Sequence, residues 1–594
     1  MSQQCRRVES LQELLHLLQD HAGCTLSYID VAAAYTRAAQ LCQQQPVLAQ
    51  SAPAQQLLQH LDQLLPTVQQ KMGARGLSNI IWSCGYTNYM APLTVVLPDF
   101  MQPSTLSGAN SHDAGNVLWA LATLKQQVPQ QQMQLLLGVI VSQSSTAAPQ
   151  EISNSVWAVG KLGVEVPQQQ LGALLAAFTA EGMLRKAKAQ EIANVLLGMA
   201  YMSQQLPDAQ LRLLLAELSA KSHMAYPQAI SNSVWAVAKL GQQVQDSKQL
   251  QQLVSALVSK LSRANTQAVA NTVWAVSEMG RELPAQLLQP LLAAFIRQLH
   301  AAAPQEVSNT LLACARFKYV PVQLLTALVR REELQQFLAA ADPQDLTNTA
   351  WACGMLGHSS ELLGRVLQQA VKLLHQDSSS FICQGLCNLC WAVAVGDLQQ
   401  HSALVLQLAA ATSKVWVSTE PEGLRQLYQV HLWLLDSTPA AAEGSKGPGV
   451  LQVLSPQQLD VCRQAWQGLV AASAAAAPSS LQQQVFAALQ QLQGWQVPPQ
   501  QEVVTADGNF SIDIAAVTAA GVKLAIEVDG PTHFVSPHNN LNGPTQYRNR
   551  ALAARGYTVV SIPWWEWITL KGGEAKLAYL QRKLSGKGAL ASFW

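Results

Sequence analysis

Charge is scarce in this chain: Asp, Glu, Lys and Arg together make up 12% of its 594 residues, against 49% hydrophobic. With 37 basic and 36 acidic side chains the formal net charge is +1, which excludes a protein that holds nucleic acid by bulk electrostatics and leaves only local patches and hydrogen bonds. There is no run of ~20 apolar residues, so no segment reads as a membrane span. P-loop, dinucleotide and Ser/His/Asp signatures are also missing, which removes the common phosphate-binding and nucleophilic enzymes. Cysteine pairs are lacking too: the ten cysteines offer no second C-x-x-C beside Cys387 and Cys390, so structural zinc has no four-ligand set. They read instead as small buried hydrophobes of a reducing compartment. The first ten residues hold Arg6 and Arg7 but run straight into Leu11 to Leu18 with Glu13 inside, a poor secretory signal and an unconvincing transit peptide.

What is abundant is repetition. An Asn recurs with Trp three residues later at Asn79/Trp82, Asn116/Trp119, Asn154/Trp157, Asn232/Trp235, Asn271/Trp274, Asn348/Trp351 and Asn388/Trp391, and Asn194/Leu197 and Asn309/Leu312 fill the gaps. Successive Asn spacings are 37, 38, 40, 38, 39, 38, 39 and 40. Within one unit Ile152, Val156 and Val159 form an apolar helical stripe that ends at Gly163. After Pro167, Leu171, Leu174, Leu175 and Phe178 form another. Each unit is therefore a helical hairpin of ~38 residues, too small to bury both apolar faces, and its neighbours must stack into a solenoid.

Four residues before the Asn stands Gln in seven of nine units: Gln150, Gln190, Gln228, Gln267, Gln305, Gln344 and Gln384. Seven after it the residue varies: Tyr86, Thr123, Lys161, Tyr201, Lys239, Glu278, Arg316, Met355 and Val395. At 100° per residue both positions lie within about 40° of the Asn, on one stripe. A fixed amide pair beside a variable polar or aromatic position suits reading of unpaired bases, with Gln150, Lys161, Gln190, Tyr201, Gln228, Lys239, Gln267, Gln305 and Arg316 as the contacts expected. A structural role competes. Gln in a first helical turn can satisfy free backbone N–H groups, and a repeated Asn can form a buried ladder. The Trp reads as core.

From about Gln501 the pattern turns to strands: Phe510, Ile512 and Ile514 alternate, as do Leu524, Ile526 and Val528, and Tyr557 to Ile562 is a third β-rich run. Glu527 and Asp529 then share a strand face, with Asp513 on a neighbouring strand and His533 past the turn. Such a group is a candidate catalytic and divalent-metal site, with Mg²⁺ as the ion if the module is catalytic and no cofactor otherwise. The competing view is that this cluster fixes the turn at Gly530 to Pro531 and the module only binds. Arg548, Arg550, Arg555, Tyr547, Trp564, Trp565 and Trp567 are candidates to clamp a single strand, with at least one Trp as core.

The stretch Q-E-I-S-N-S-V-W-A-V-G-K-L-G at Gln150 to Gly163 resembles the octotricopeptide repeat, over roughly residues 70–435. G-N-F-S-I-D-I-A-A, K-L-A-I-E-V-D-G-P-T-H-F and Y-R-N-R-A-L-A-A-R-G-Y-T-V-V-S-I-P-W-W-E-W resemble a RAP domain over about residues 508–585. The fold implied is mainly α, an α-solenoid of helical-hairpin repeats followed by a small α/β domain similar to restriction endonucleases. The expected boundaries are a helical cap at 1–70, repeats at 71–436, a diverged connector at 437–500 and the RAP domain at 501–594. Ser437 to Val450 and Ala471 to Ser480 read as flexible linkers. The resemblance implies binding of single-stranded RNA in a chloroplast or mitochondrion, in transcript stabilisation, processing, splicing or translation, alongside other proteins of RNA metabolism. Asp529 stands where restriction-endonuclease-like sites carry Lys, which counts against hydrolysis. The alternatives are a metal-dependent ribonuclease and an armadillo-like protein scaffold.

Overall fold

The computed structural model describes residues 1–21, 26–241, 247–358, 360–437 and 448–585. It divides into two compact bodies, Met1–Leu291 and Leu292–Trp594.

The repeat helices start and stop where local chemistry tells them to. In the helix Pro149–Leu162, Pro149 takes the first position, where its missing N–H costs nothing, and the Glu151 carboxylate accepts from the Ala148 N–H at 3.0 Å. Gly163 ends it in the left-handed conformation at φ 66°. Glu306 repeats this cap on Ala303 at 3.1 Å, and Glu191 on Lys188 at 2.7 Å. In these units the acid one residue after the Gln caps the helix start, so the Gln is not needed there.

In the first body the helices Tyr28–Gln44, Ala74–Thr87, Ser111–Thr123, Pro149–Leu162, Ala189–Tyr201, Pro227–Lys239 and Thr266–Glu278 each pack against the next. A second helix returns between them, as Gln168–Thr179 does with Leu171, Leu174, Leu175 and Phe178 buried. The region expected as a cap takes the same form: Tyr28–Gln44 stacks on Ala74–Thr87, and Ala52–Val68 backs it. Neighbouring first helices are also pinned by hydrogen bonds, since Ser78 Oγ donates to Asp113 at 2.9 Å and Ser111 Oγ to Glu151 at 2.6 Å.

The second body continues the pattern with Pro304–Arg316, Pro343–Leu356, Cys383–Val395 and Pro421–Ser437, followed by Pro456–Ala474. Ala471 to Ala474 are the last turn of that helix, which shortens the linker expected over Ala471 to Ser480 to residues 475–479; of the other expected linker, 438–447 lies outside the described residues. The C-terminal sheet has the order β1 (Trp495–Val504), β2 (Ser511–Thr518), β3 (Lys523–Glu527), β6 (Thr558–Ser561), antiparallel except for β3 with β6. A small hairpin, β4 (Phe534–Val535) with β5 (Asn540–Leu541), precedes the crossover helix Gly543–Ala554. One sheet face packs Ile514, Leu524, Ile526 and Val560 against Trp567, Tyr579, Leu580 and the helix Ser480–Leu489. The domain core therefore begins about twenty residues before Gln501, because that helix supplies an apolar stripe the sheet needs.

Close approach of the first helices depends on small residues. A Cβ at Gly198 would lie 2.3 Å from the Val156 carbonyl oxygen, and one at Gly160 2.4 Å from that of Gly198. Gly198→Ala is therefore expected to push the two helices apart and cost about 1–3 kcal/mol, read as a lowered thermal midpoint; an unchanged midpoint would contradict the packing described.

Candidate nucleic-acid interface

Each first helix is buried almost all round. From Ile152 to Leu162 only Asn154, Trp157 and Lys161 keep partial or full exposure, and they lie on one stripe with the exposed Gln150. Gln190, Asn194 and Tyr201 repeat this, as do Gln228, Asn232, Trp235 and Lys239, and Gln267, Asn271, Trp274 and Glu278. In the second body Gln305, Asn309, Leu312 and Arg316 behave alike. The amides are thus accessible. Trp157, Trp235 and Trp274, expected as core, are half-buried instead, because position +3 lies about 60° from the Asn and shares its outward edge.

The stripe is organised by amide-to-amide bonds. Gln190 Nε2 donates to Asn194 Oδ1 at 3.0 Å, and Asn194 Nδ2 crosses to Asn154 Oδ1 at 3.2 Å. Gln228 Nε2 reaches Asn232 Oδ1 at 3.0 Å and Gln267 Oε1 at 3.3 Å. In the second body Gln384, Asn388 and Gln426 close a similar triangle at 2.9–3.0 Å. A direct Asn-to-Asn step joins the half-buried Asn194 and Asn154, and the other steps named run through Gln.

The variable position meets the Trp of the following unit. The Tyr86 ring stacks on Trp119 with centroids 4.5 Å apart, and Tyr201 tilts against Trp235 at 6.1 Å. Lys161 Nζ lies 5.1 Å from the Tyr201 ring centre. Aromatic faces, amides and single cations thus alternate along one row, the groups that stack on and hydrogen-bond unpaired bases.

At the C-terminal domain the polar cluster folds in on itself. Asp513 accepts from the Val528 N–H at 2.8 Å, and Arg548, from the crossover helix, pairs with Glu527 at 3.0 Å and Asp529 at 2.8 Å. Ser561 Oγ donates to the other Asp529 oxygen, and His533 lies 3.6 Å from Asp529 and 3.1 Å from Thr545 Oγ1. Glu527 and Asp529 are buried, whereas Asp513 and His533 keep partial exposure. Burial holds the Glu527 carboxyl up at about 8 in spite of Arg548, with Asp513 and Asp529 adding to the rise. One Glu527 oxygen, Oε1, has no partner. Burial, then Arg548, depresses the His533 imidazole.

This arrangement does not fit the metal site expected at Asp513, Glu527 and Asp529. The Arg548 guanidinium already bridges two of the three carboxylates, and a divalent ion there would meet a fixed positive charge. Among the described residues no other His, Cys, Asp or Glu group is set to hold one.

Arg548 and Arg550 are not free to clamp a strand either. Arg550 Nη2 donates to the carbonyl oxygens of Ala394 and Val395 at 3.2 and 2.6 Å, at the negative end of the Cys383–Val395 helix, and its Nε lies 3.7 Å from Asp397. Arg555 bridges Asp436 and Asp507, and Tyr547 Oη donates to the Gln429 carbonyl at 2.9 Å. These contacts seat the crossover helix on the last repeat helices. Trp567 is core, while Trp565 keeps partial exposure with its edge on Phe534. The seating is tight: a Cβ on Gly543 would fall 1.8 Å from the Gly354 oxygen and 2.7 Å from Val395 Cγ1. Val395, at the variable position of its unit, is buried by it. Sequence reasoning gave these arginines to RNA because charge alone does not show which side chains face a neighbouring domain.

Residues 526–583 match the family model of the RAP domain. The "RAP domain-containing protein, chloroplastic" of Oryza sativa subsp. japonica is 39% identical over 80 residues, covering 14% of this chain and 12% of that protein. The match spans about an eighth of the relative's length. A chain described as the full-length AP-3 complex in an intermediate open conformation aligns over 78% of this chain and 92% of its own, at 11% identity and a TM-score of 0.29, too low to bear on fold or function.

The raised carboxyl at Glu527 fixes a pH dependence. Its folded value of about 8 lies above the ordinary 4.5, so the folded state binds the extra proton and this group's contribution is full below pH 4.5 and lost as pH rises towards 8. Glu527→Gln keeps the neutral shape. Its thermal midpoint relative to wild type is expected to rise steadily from pH 5 to pH 8.5, and a constant difference would show that Glu527 is ionised throughout.

Proposed function

We propose that the repeats bind single-stranded RNA along the exposed stripe of their first helices, with the residue seven after the Asn setting the preferred base in each unit. The observation that carries this is the exposure pattern: on the first helices from Gln150 to Arg316 the Gln, the Asn, the variable residue and, where present, the Trp stay outward while the rest of the helix is almost all buried. Hydrogen-bonding amides and aromatic edges on that row suit bases, and a chain of net charge +1 needs such contacts in place of bulk attraction.

The RAP domain adds a fixed end. Its crossover helix covers the variable position at Val395, and Met355 in the preceding unit is half-buried; both are apolar where the open units carry Tyr, Thr, Lys, Glu or Arg. Base reading therefore stops before these units, and His533 and Trp565 on the RAP surface are left as a second contact. The RAP match and the chloroplastic relative favour an organelle and its transcripts.

Crosslinking of the full chain to RNA, with sequencing of the bound sites, tests this. A defined motif is expected, and Tyr201→Ala should weaken binding to that motif about ten-fold, in keeping with ~1–3 kcal/mol per stacked base. Lys161→Glu should change the preference at one position of the motif. Binding without any sequence preference, or motif binding untouched by both substitutions, would remove the stripe as the reader.

A further inference from the structure

A cavity of about 820 Å³ lies in the first body, where the helices Tyr28–Gln44, Ala74–Thr87 and Ser111–Thr123 begin side by side. Its volume falls within the ~300–1,000 Å³ of small-molecule sites. Four basic side chains line it, Arg6, Arg37, Arg75 and His112, and none of the described lining residues is a carboxylate. Arg6, Arg37 and Arg75 carry fixed positive charge, and His112 lies 3.5 Å from Glu151.

The acids of the same helix starts are turned elsewhere. Asp30 is held in the cap of Ser27, and Asp113 accepts from the Asn110 N–H at 3.2 Å and from Ser78 Oγ at 2.9 Å. Arg37 is fixed as a wall, donating from Nε and Nη2 to the Val8 carbonyl at 2.8 and 2.6 Å. Arg6 and Arg75 are exposed and form no ion pair among the described residues. Gly73, the N-cap of its helix, offers no side chain to the free N–H groups, and a Cβ there would meet nothing within 4 Å. The positive ends of helix dipoles and the exposed Arg6 and Arg75 guanidinium groups thus face one open space, a combination that selects an anion, and phosphate above all.

The cavity is also the start of the stripe. Arg75 and His112 occupy the position four before Asn79 and Asn116, and Asn79 itself lines the wall. Thr36 and Gln40 stand beside them at the matching spacing, 39 residues before Arg75 and Asn79. Tyr28 and Ile29 are exposed at the rim, an aromatic face and an apolar edge for a base.

We propose that this cavity holds the terminal nucleotide of the bound strand through its phosphomonoester, with Arg6 and Arg75 on the phosphate and Tyr28 against the base. This rests on the RNA reading of the stripe. A strand end seated here would set the register in which later units meet successive bases.

The test measures binding of the full chain to its selected RNA site carrying a 5′-phosphate, a 3′-phosphate or hydroxyls at both ends, and separately to adenosine 5′-monophosphate. One phosphorylated end is expected to bind at least about ten-fold tighter than the hydroxyl form, about 1.4 kcal/mol, and Arg6→Ala/Arg75→Ala should erase that ratio. Lys161→Ala should weaken all three RNAs and keep the ratio. If the RNA binds with no difference between its ends, or the ratio survives the double substitution, the cavity proposal is overturned while the stripe stands. If no RNA binds but the mononucleotide does, and the double substitution abolishes this, the phosphate site stands and the stripe reading falls. If neither ligand binds, both are overturned.

Discussion

The exposed row of the repeats follows from one packing constraint: consecutive first helices lie so close that each is buried on almost every side but one. Gly160 and Gly198 permit that approach where any Cβ would strike a backbone carbonyl, and Ala, Ser and Thr do the same on neighbouring turns. A helix enclosed in this way has a single outward row, and the period of 37–40 residues brings the same positions to it each time. The Gln, Asn and Trp are then not independent features. They are what remains visible.

The same enclosure explains why a half-exposed amide ladder is tolerated. Amide groups at the rim can bond to each other across units, as Asn194 does to Asn154, and can exchange those partners for a ligand at small net cost because both states are hydrogen-bonded. Deep in the stack the choice is different. There Ser78 and Ser308 are paired with Asp113 and Asp345, which cap the next helix and so lock one unit to another. Buried pairs fix the architecture and rim pairs stay open to exchange.

The C-terminal domain shows charge used for assembly. Its basic side chains looked free as residue types, yet Arg550 reads the carbonyl end of a repeat helix and Arg555 ties Asp436 to Asp507. Arg548 is drawn to Asp529 because an uncompensated charge on a buried carboxylate would be far costlier than an ion pair, and it also contacts Glu527, whose proton burial retains up to about 8. Of the other groups at this end, Trp565 keeps partial exposure, while His533 lies 3.6 Å from Asp529 and 3.1 Å from Thr545 Oγ1.

Helical periodicity, the hairpin unit and the identity of the outward row were legible in the sequence, since apolar spacing and a repeated Asn are local properties of the chain. The C-terminal strands were legible for the same reason: alternation at Ile512 and Ile514 depends only on neighbours two residues away. Three things were not. Trp157, Trp235 and Trp274 moved from core to rim because their place depends on how far the next helix stands off, Arg550 and Arg555 changed role because their partners Val395 and Asp436 lie over a hundred residues away in the chain, and the basic cavity at the helix starts appeared only when Arg6, Arg37 and Arg75 were brought together. Sequence determined which residues recur and on which face; tertiary structure decided which of them meet solvent and which meet each other, because burial and ion pairing are set by distances in space that spacing along a chain does not encode.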